Sequence, residues 1–173
     1  TMQEIQLTKA YGQVEYITVT SDEDQTVYRV VNGSENFASS PTSLDIYKAG
    51  SDKVMYRYRC GEDSQLENVQ IRRVGERTCV LFYETDRGET MADLDTGKVL
   101  ARQVLDVDGS SYQHYNVKSF HEAEKCLVYY DFSKQFAVTA LTEKGIEVPT
   151  EKDFINADGH IENIQVSADD RYV

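Results

Sequence analysis

An apolar cluster recurs four times along this chain, and each copy runs on through a polar turn into a second apolar strand. The copies read ITVTSDEDQTVYRVV from Ile17, VQIRRVGERTCVLFY from Val69, VKSFHEAEKCLVYYD from Val117 and IQVSADDRYV from Ile164, so their starts lie 52, 48 and 47 residues apart. Within a copy the period is two: Val69 and Ile71 alternate with Gln70 and Arg72, the pattern of a half-buried strand. A chain built this way is constrained to repeated antiparallel sheets, because a period of two cannot hold an apolar face on a helix.

Each copy carries further strand signals. After the paired strands come a polar loop, a third strand and a tight hairpin. In the second copy these are ETDRGE, TMADL and DTGK, followed by VLARQVL; in the third they are DFSKQ, FAVTAL and TEKG, followed by IEVP. In the first copy a longer NGSENFASSPTS precedes LDIY, KAGSDK and VMYRYR. Leu94 and Leu141 both stand immediately before the hairpin, and glycine in that hairpin supplies a positive φ at little steric cost. Pro41 and Pro149 fall at loop or strand-end positions, where a missing N–H leaves no gap in a ladder. The stretch FHEAEKCL at 120–127 is rich in helix formers, but it aligns with turns of the other copies and is read as a turn.

Charge narrows the partners. The chain has 173 residues, enough for one domain with a sizeable core, and its 18 basic against 30 acidic side chains give a net charge of −12. Nucleic acid and anionic membrane surfaces both require clustered Lys and Arg, so neither is an expected partner. No apolar run is long enough to span a bilayer as a helix, and the N-terminus lacks a charged-then-apolar signal pattern. Cys60, Cys79 and Cys126 are odd in number and form no CxxC; Cys79 and Cys126 sit at matching places in TCVLFY and KCLVYY, which marks them as small buried strand residues. Unpaired thiols point to a reducing compartment, and the cytoplasm is the expected location.

Four short strands about every 48 residues resemble the blade of a β-propeller, a fold whose repeats have periods of ~40–50 residues. GHIENIQVSADDRYV at 159–173 resembles the blade opening of the WD40 class, with Gly-His, spaced aliphatics and a Ser-x-Asp turn. MADLDTGKVL at 91–100 resembles the blade ending of that class, where an Asp-x-x-Thr-Gly-Lys hairpin joins the last two strands. The same hairpin fits quinone-dehydrogenase-type propellers, and SADDRYV fits the TolB type. The chain has no Trp, so Ala92 and Asp93 stand where the Trp-Asp ending would be sought, and the His–Ser–Trp–Asp network of WD40 blades cannot form. The resemblance implies an all-β chain of four-stranded antiparallel blades, about three plus a fragment, beginning near residues 14, 66, 114 and 161. That is a partial β-propeller over residues 1–173, the expected piece of a larger ring of ~4–8 blades.

No catalytic constellation stands out. His114, His121 and His160 have spacings that match no zinc pattern. His121 begins a polar turn, and His160 is a structural hydrogen-bonder by the WD40 resemblance. Asp106-Val107-Asp108-Gly109-Ser110 opens like a calcium loop but lacks the later ligands of an EF-hand. Nucleophile motifs, P-loops and GxGxxG are missing, so neither metal nor cofactor is expected and there is no positive case for an enzyme. Tyrosines such as Tyr28, Tyr83, Tyr129 and Tyr130 fall on strands and read as packing residues. The propeller resemblance places the loops between second and third strands, and those between blades, on one rim. Phe37, Arg87, Tyr112 and Lys134 would share that rim, and aromatic and Arg side chains there are the usual anchors of an interface.

The expected function is therefore a noncatalytic protein–protein interaction or scaffold module within a larger assembly, with a protein partner or missing blades from another chain segment. Two alternatives stand beside it. One is an enzyme or small-ligand propeller whose acidic loops, with Asp86 and Asp108, hold metal or substrate. The other is a self-contained β-sandwich that shares strands in an oligomer.

Overall fold

A computed structural model describes residues 13–21, 26–34, 42–61, 64–85, 87–104, 116–119, 124–129, 134–161, 164, 167 and 171–172. Three consecutive antiparallel meanders account for nearly all of its regular structure. Sheet 1 holds β1 (Gln13–Ser21), β2 (Val27–Ser34), β3 (Ser43–Lys48) and β4 (Val54–Arg59) in that order. Sheet 2 holds β5 (Leu66–Val74), β6 (Arg77–Glu84), β7 (Gly88–Asp93) and β8 (Val99–Gln103). Sheet 3 runs β9 (Asn116–Ser119), β10 (Lys125–Tyr129), β11 (Gln135–Thr142) and β12 (Gly145–Ile146). A 3-10 turn at Glu151–Asp153 and a short β13 (Ile155–Asn156) follow, with β13 pairing the start of β11. Among the described residues that turn is the only helical element.

The strands fall where the apolar alternation puts them. Both expected hairpins form: Gly97 takes φ +71° after Asp93, and Gly145 takes φ +108° between β11 and β12. Asp93 closes its hairpin by accepting the N–H groups of Asp95 and Thr96, each at 2.9 Å. Of the helix-rich stretch 120–127, Glu124 is a bend and residues 125–127 open β10, while residues 120–123 lie outside the described residues. The fourth strand of the third copy is shorter than IEVP suggests, because the chain leaves the sheet after Ile146.

The sheets stack face to face. One core joins Tyr28, Val30, Leu44, Ile46 and Tyr56 of sheet 1 to Leu66, Ile71, Val80, Phe82, Ala92 and Leu94 in and beside sheet 2. A second joins Val74, Cys79, Leu81 and Met91 of sheet 2 to Val117, Cys126, Val128, Leu141 and Ile146 of sheet 3. A third packs Ile161 and Ile164 on Leu127 and Tyr129, the face of sheet 3 turned away from sheet 2. Sheet 2 is thus covered on both sides, which is why CVLF in β6 is an unbroken apolar run, as expected of a strand with no wet face. The first strands of successive sheets, β1, β5 and β9, lie beside one another.

Sheets 2 and 3 are equivalent with a one-residue offset from their sequence alignment. The N–H of Leu94 donates to the Thr78 carbonyl, and the N–H of Leu141 donates to the Glu124 carbonyl. Thr78 therefore corresponds to Glu124, Cys79 to Lys125, and Val80 to Cys126. A shift of one residue reverses the face of every side chain. The two cysteines accordingly enter the same seam from opposite sheets, both fully buried.

Candidate interaction rim

The turn between β6 and β7 carries Arg87, and the connection from sheet 1 to sheet 2 runs directly beside it. The two segments are tied by Thr85 N–H to the Gln65 carbonyl at 3.1 Å and by Gln65 N–H to Thr85 Oγ1 at 3.0 Å. Gly88 closes the turn at φ +80°, and a Cβ there would stand 2.2 Å from the Gln103 carbonyl oxygen, so only glycine fits.

Beneath Arg87 lies a buried polar cluster. Glu84 ends β6 with its side chain wholly buried, and each of its carboxyl oxygens accepts a hydrogen bond. The Tyr58 hydroxyl donates to Oε2 at 2.5 Å, the Gly61 N–H donates to Oε1 at 3.1 Å, and Arg87 Nε stands 3.7 Å from Oε1. Arg102 extends the network, giving Nη2–H to the Tyr58 hydroxyl and Nε–H to Thr90 Oγ1, both at 3.2 Å. Burial holds the phenols in their neutral form: Tyr56 is pushed up to about 12, and Tyr58 is raised by burial and by its bond to Glu84. Burial and the nearby Glu84 likewise push the Cys60 thiol up to about 11, so it is a weak nucleophile at neutral pH. This cluster ties sheet 1 to sheet 2.

The seam between sheets 2 and 3 is sealed in a similar way. The Gln103 side-chain amide accepts the Ile146 N–H at 2.7 Å and donates to the Ile146 carbonyl at 2.8 Å, imitating a strand partner. Gln70 donates to the Val117 carbonyl at 2.6 Å, and Arg77 bridges Asp93 at 2.6 Å and Glu143 at 3.3 Å.

Of the four residues expected to share a rim, Phe37 and Tyr112 lie outside the described residues. Arg87 and Lys134 occupy corresponding turns, between the second and third strands of adjacent sheets, and both are exposed. They differ in commitment. Arg87 is 47% exposed in its side chain while its guanidinium leans on Glu84, whereas the Lys134 side chain has no ion-pair partner among the described residues. The Lys134 carbonyl accepts the Ala157 N–H at 2.6 Å, which anchors its turn to the segment after sheet 3.

Tyr28 and Tyr129 are buried in strands, Tyr83 is half-buried, and Tyr130 lies outside the described residues. Cys79 and Cys126 are each pushed up to about 12 by burial, which suits packing rather than chemistry. His160 is exposed; His114, His121, Asp86 and the 106–110 loop lie outside the described residues. Sequence reasoning missed Glu84 and Tyr58. A charged residue closing the apolar run VLFYE was the available signal, but its partners come from another sheet. No protein-family model matches the chain, and no curated protein is detectably similar to it.

Proposed function

We propose that this chain is a noncatalytic protein–protein interaction or scaffold module, built from β-propeller blades and acting within a larger assembly. The observation that carries the reading is the stacking of three successive meanders of identical strand order, with their first strands side by side. Neighbouring blades of a propeller stack in a similar way, and this likeness supports the reading. A ring of ~4–8 blades needs more sheets than the three among the described residues, and a protein partner or blades from another chain segment would supply them. Of the buried polar side chains, Glu84 ties sheet 1 to sheet 2, while Thr90 and Asp93 are bonded within sheet 2; this favours the exposed turns as the binding surface. The rim of Arg87 and Lys134, with Phe37 and Tyr112, is the proposed contact surface, and the three free cysteines suit a cytoplasmic setting.

The test is affinity capture with the wild-type chain and a variant carrying Phe37→Ala, Arg87→Ala, Tyr112→Ala and Lys134→Ala. Loss of the captured partners from the variant, with its melting transition intact, supports the reading; unchanged capture removes the rim. A thermal-shift panel of calcium, zinc and common cofactors runs beside it. A large shift with one of them would move the chain to the class of small-ligand propellers.

A further inference from the structure

The fourth lane of sheet 3 is interrupted, and the interruption opens a groove. β12 pairs β11 only at Leu141 and Thr142, and β13 pairs it only at Gln135 and Phe136. After the Glu147 N–H bonds the Ala140 carbonyl at 2.9 Å, the chain leaves the sheet and returns at Ile155. Among the described residues no strand lies beside 137–139 on this side, where the Thr139 hydroxyl donates to the Glu147 carbonyl at 2.7 Å; an open edge of this kind accepts another extended segment. The looped-out wall is braced from within: Thr150 donates both its N–H and its hydroxyl to Asp153 Oδ2 at 2.7 Å. Between wall and sheet lies a groove of about 360 Å³ with Val138 and Ala140 on its floor and Val148 on its wall.

Two features define what fits. The first is apolar. Val138 occupies the place that Met91 holds in sheet 2, three residues before the hairpin leucine; Met91 is 3% exposed under sheet 3, whereas Val138 is 40% exposed and Val148 is 44% exposed. The second is charge. Glu124, Glu147 and Asp153 outnumber Lys125 around the groove, and the Glu124 and Glu147 side chains are exposed and without a partner among the described residues. We propose that this groove is a docking site for an extended segment of a partner polypeptide, pairing with β11 at residues 137–139 and carrying an aliphatic side chain flanked by Lys or Arg. The site deepens the interaction-module reading and rests on it. The aliphatic side chain covers Val138 and Val148, the flanking cations neutralise Glu124 and Glu147, and backbone bonds to β11 set direction and register.

The experiment uses the full chain and a fluorescein-labelled Thr-Lys-Val-Lys-Thr peptide, read by fluorescence polarisation. The expected result is saturable, salt-sensitive binding that is absent for Thr-Glu-Val-Glu-Thr. Methylation of the central peptide nitrogen should weaken it at least about tenfold, because it deletes a ladder hydrogen bond. Glu124→Lys combined with Glu147→Lys changes exposed side chains that have no partner among the described residues, so the fold should persist while the charge preference inverts. Binding that ignores both the methylation and the charge reversal would overturn the proposal. So would a concentration-dependent dimer that excludes the peptide, which would make a second copy the occupant. A peptide that fails to bind while the rim variant still loses its captured partners would remove the groove and leave the interaction module standing.

Discussion

Glu89 lies on β7 in the seam between sheets 2 and 3, and neither carboxyl oxygen has a hydrogen-bond partner among the described residues. Burial alone pushes its pKa from 4.5 to about 8, so it is a neutral acid at pH 7 in the folded chain. Because the folded state holds this proton more tightly than the unfolded chain, the associated stability is complete below about pH 4.5 and is lost as pH rises to about 8. The gap of about 3.5 pH units at about 1.4 kcal/mol each amounts to roughly 5 kcal/mol in total, of which about 3 kcal/mol is gone at pH 7. The informative perturbation is Glu89→Met, which keeps the length of the side chain and places a thioether beside Met91. Urea unfolding of both proteins at pH 5, 6, 7, 8 and 9 should show the variant gaining on wild type by about 1.4 kcal/mol per pH unit, with the gain levelling off beyond about pH 8. Two described neighbours do not confuse the reading. Across the seam the Cys126 thiol is pushed up to about 12, and on β7 the Asp93 carboxyl is lowered by its turn N–H groups and Arg77, so neither titrates in this window. A stability difference that stays constant from pH 5 to 9 would refute the argument, because it would mean that Glu89 is ionised and solvated in the folded state.

Tyr58→Phe should destabilise the chain by about 1–3 kcal/mol in urea unfolding, since it strips a buried donor from Glu84 Oε2. Gly88→Ala should cost more than about 2 kcal/mol or prevent folding, because the new Cβ meets the Gln103 carbonyl at 2.2 Å and the backbone stands at φ +80°. Gln103→Ala should loosen the outer part of the sheet 2–sheet 3 seam, read as faster hydrogen exchange at the Ile146 amide, whose acceptor is the Gln103 side chain. Native thiol labelling at pH 8 should modify Cys60 first and leave Cys79 and Cys126 untouched until unfolding, as peptide mapping would show.

Strand order within each meander was legible because its causes are local. Alternation along VQIRR, the continuous run CVLF, and the glycines of DTGK and TEKG each depend on residues a few positions apart, and these become β5, β6 and the two hairpins. The candidate site was legible only as a kind of loop. Arg87 and Lys134 could be placed in corresponding turns from the repeat, but the commitment of Arg87 to Glu84 could not, because Tyr58 and Gly61 reach that carboxylate from a different sheet.

The matching cysteines mark the boundary most clearly. Aligned by sequence, Cys79 and Cys126 share a position; in the stacked sheets they differ by one residue and face each other's sheets. The same stacking buries Glu89 without a hydrogen-bond partner among the described residues and leaves Val138 half-open at the place where Met91 is covered. Composition and periodicity by themselves determined an acidic all-β chain of repeated four-stranded units. Register between sheets, and with it the choice of which side chains are buried, paired or left free, was decided only by tertiary packing. The physical reason is that a period of two specifies which residues share a face but not which neighbour that face will meet.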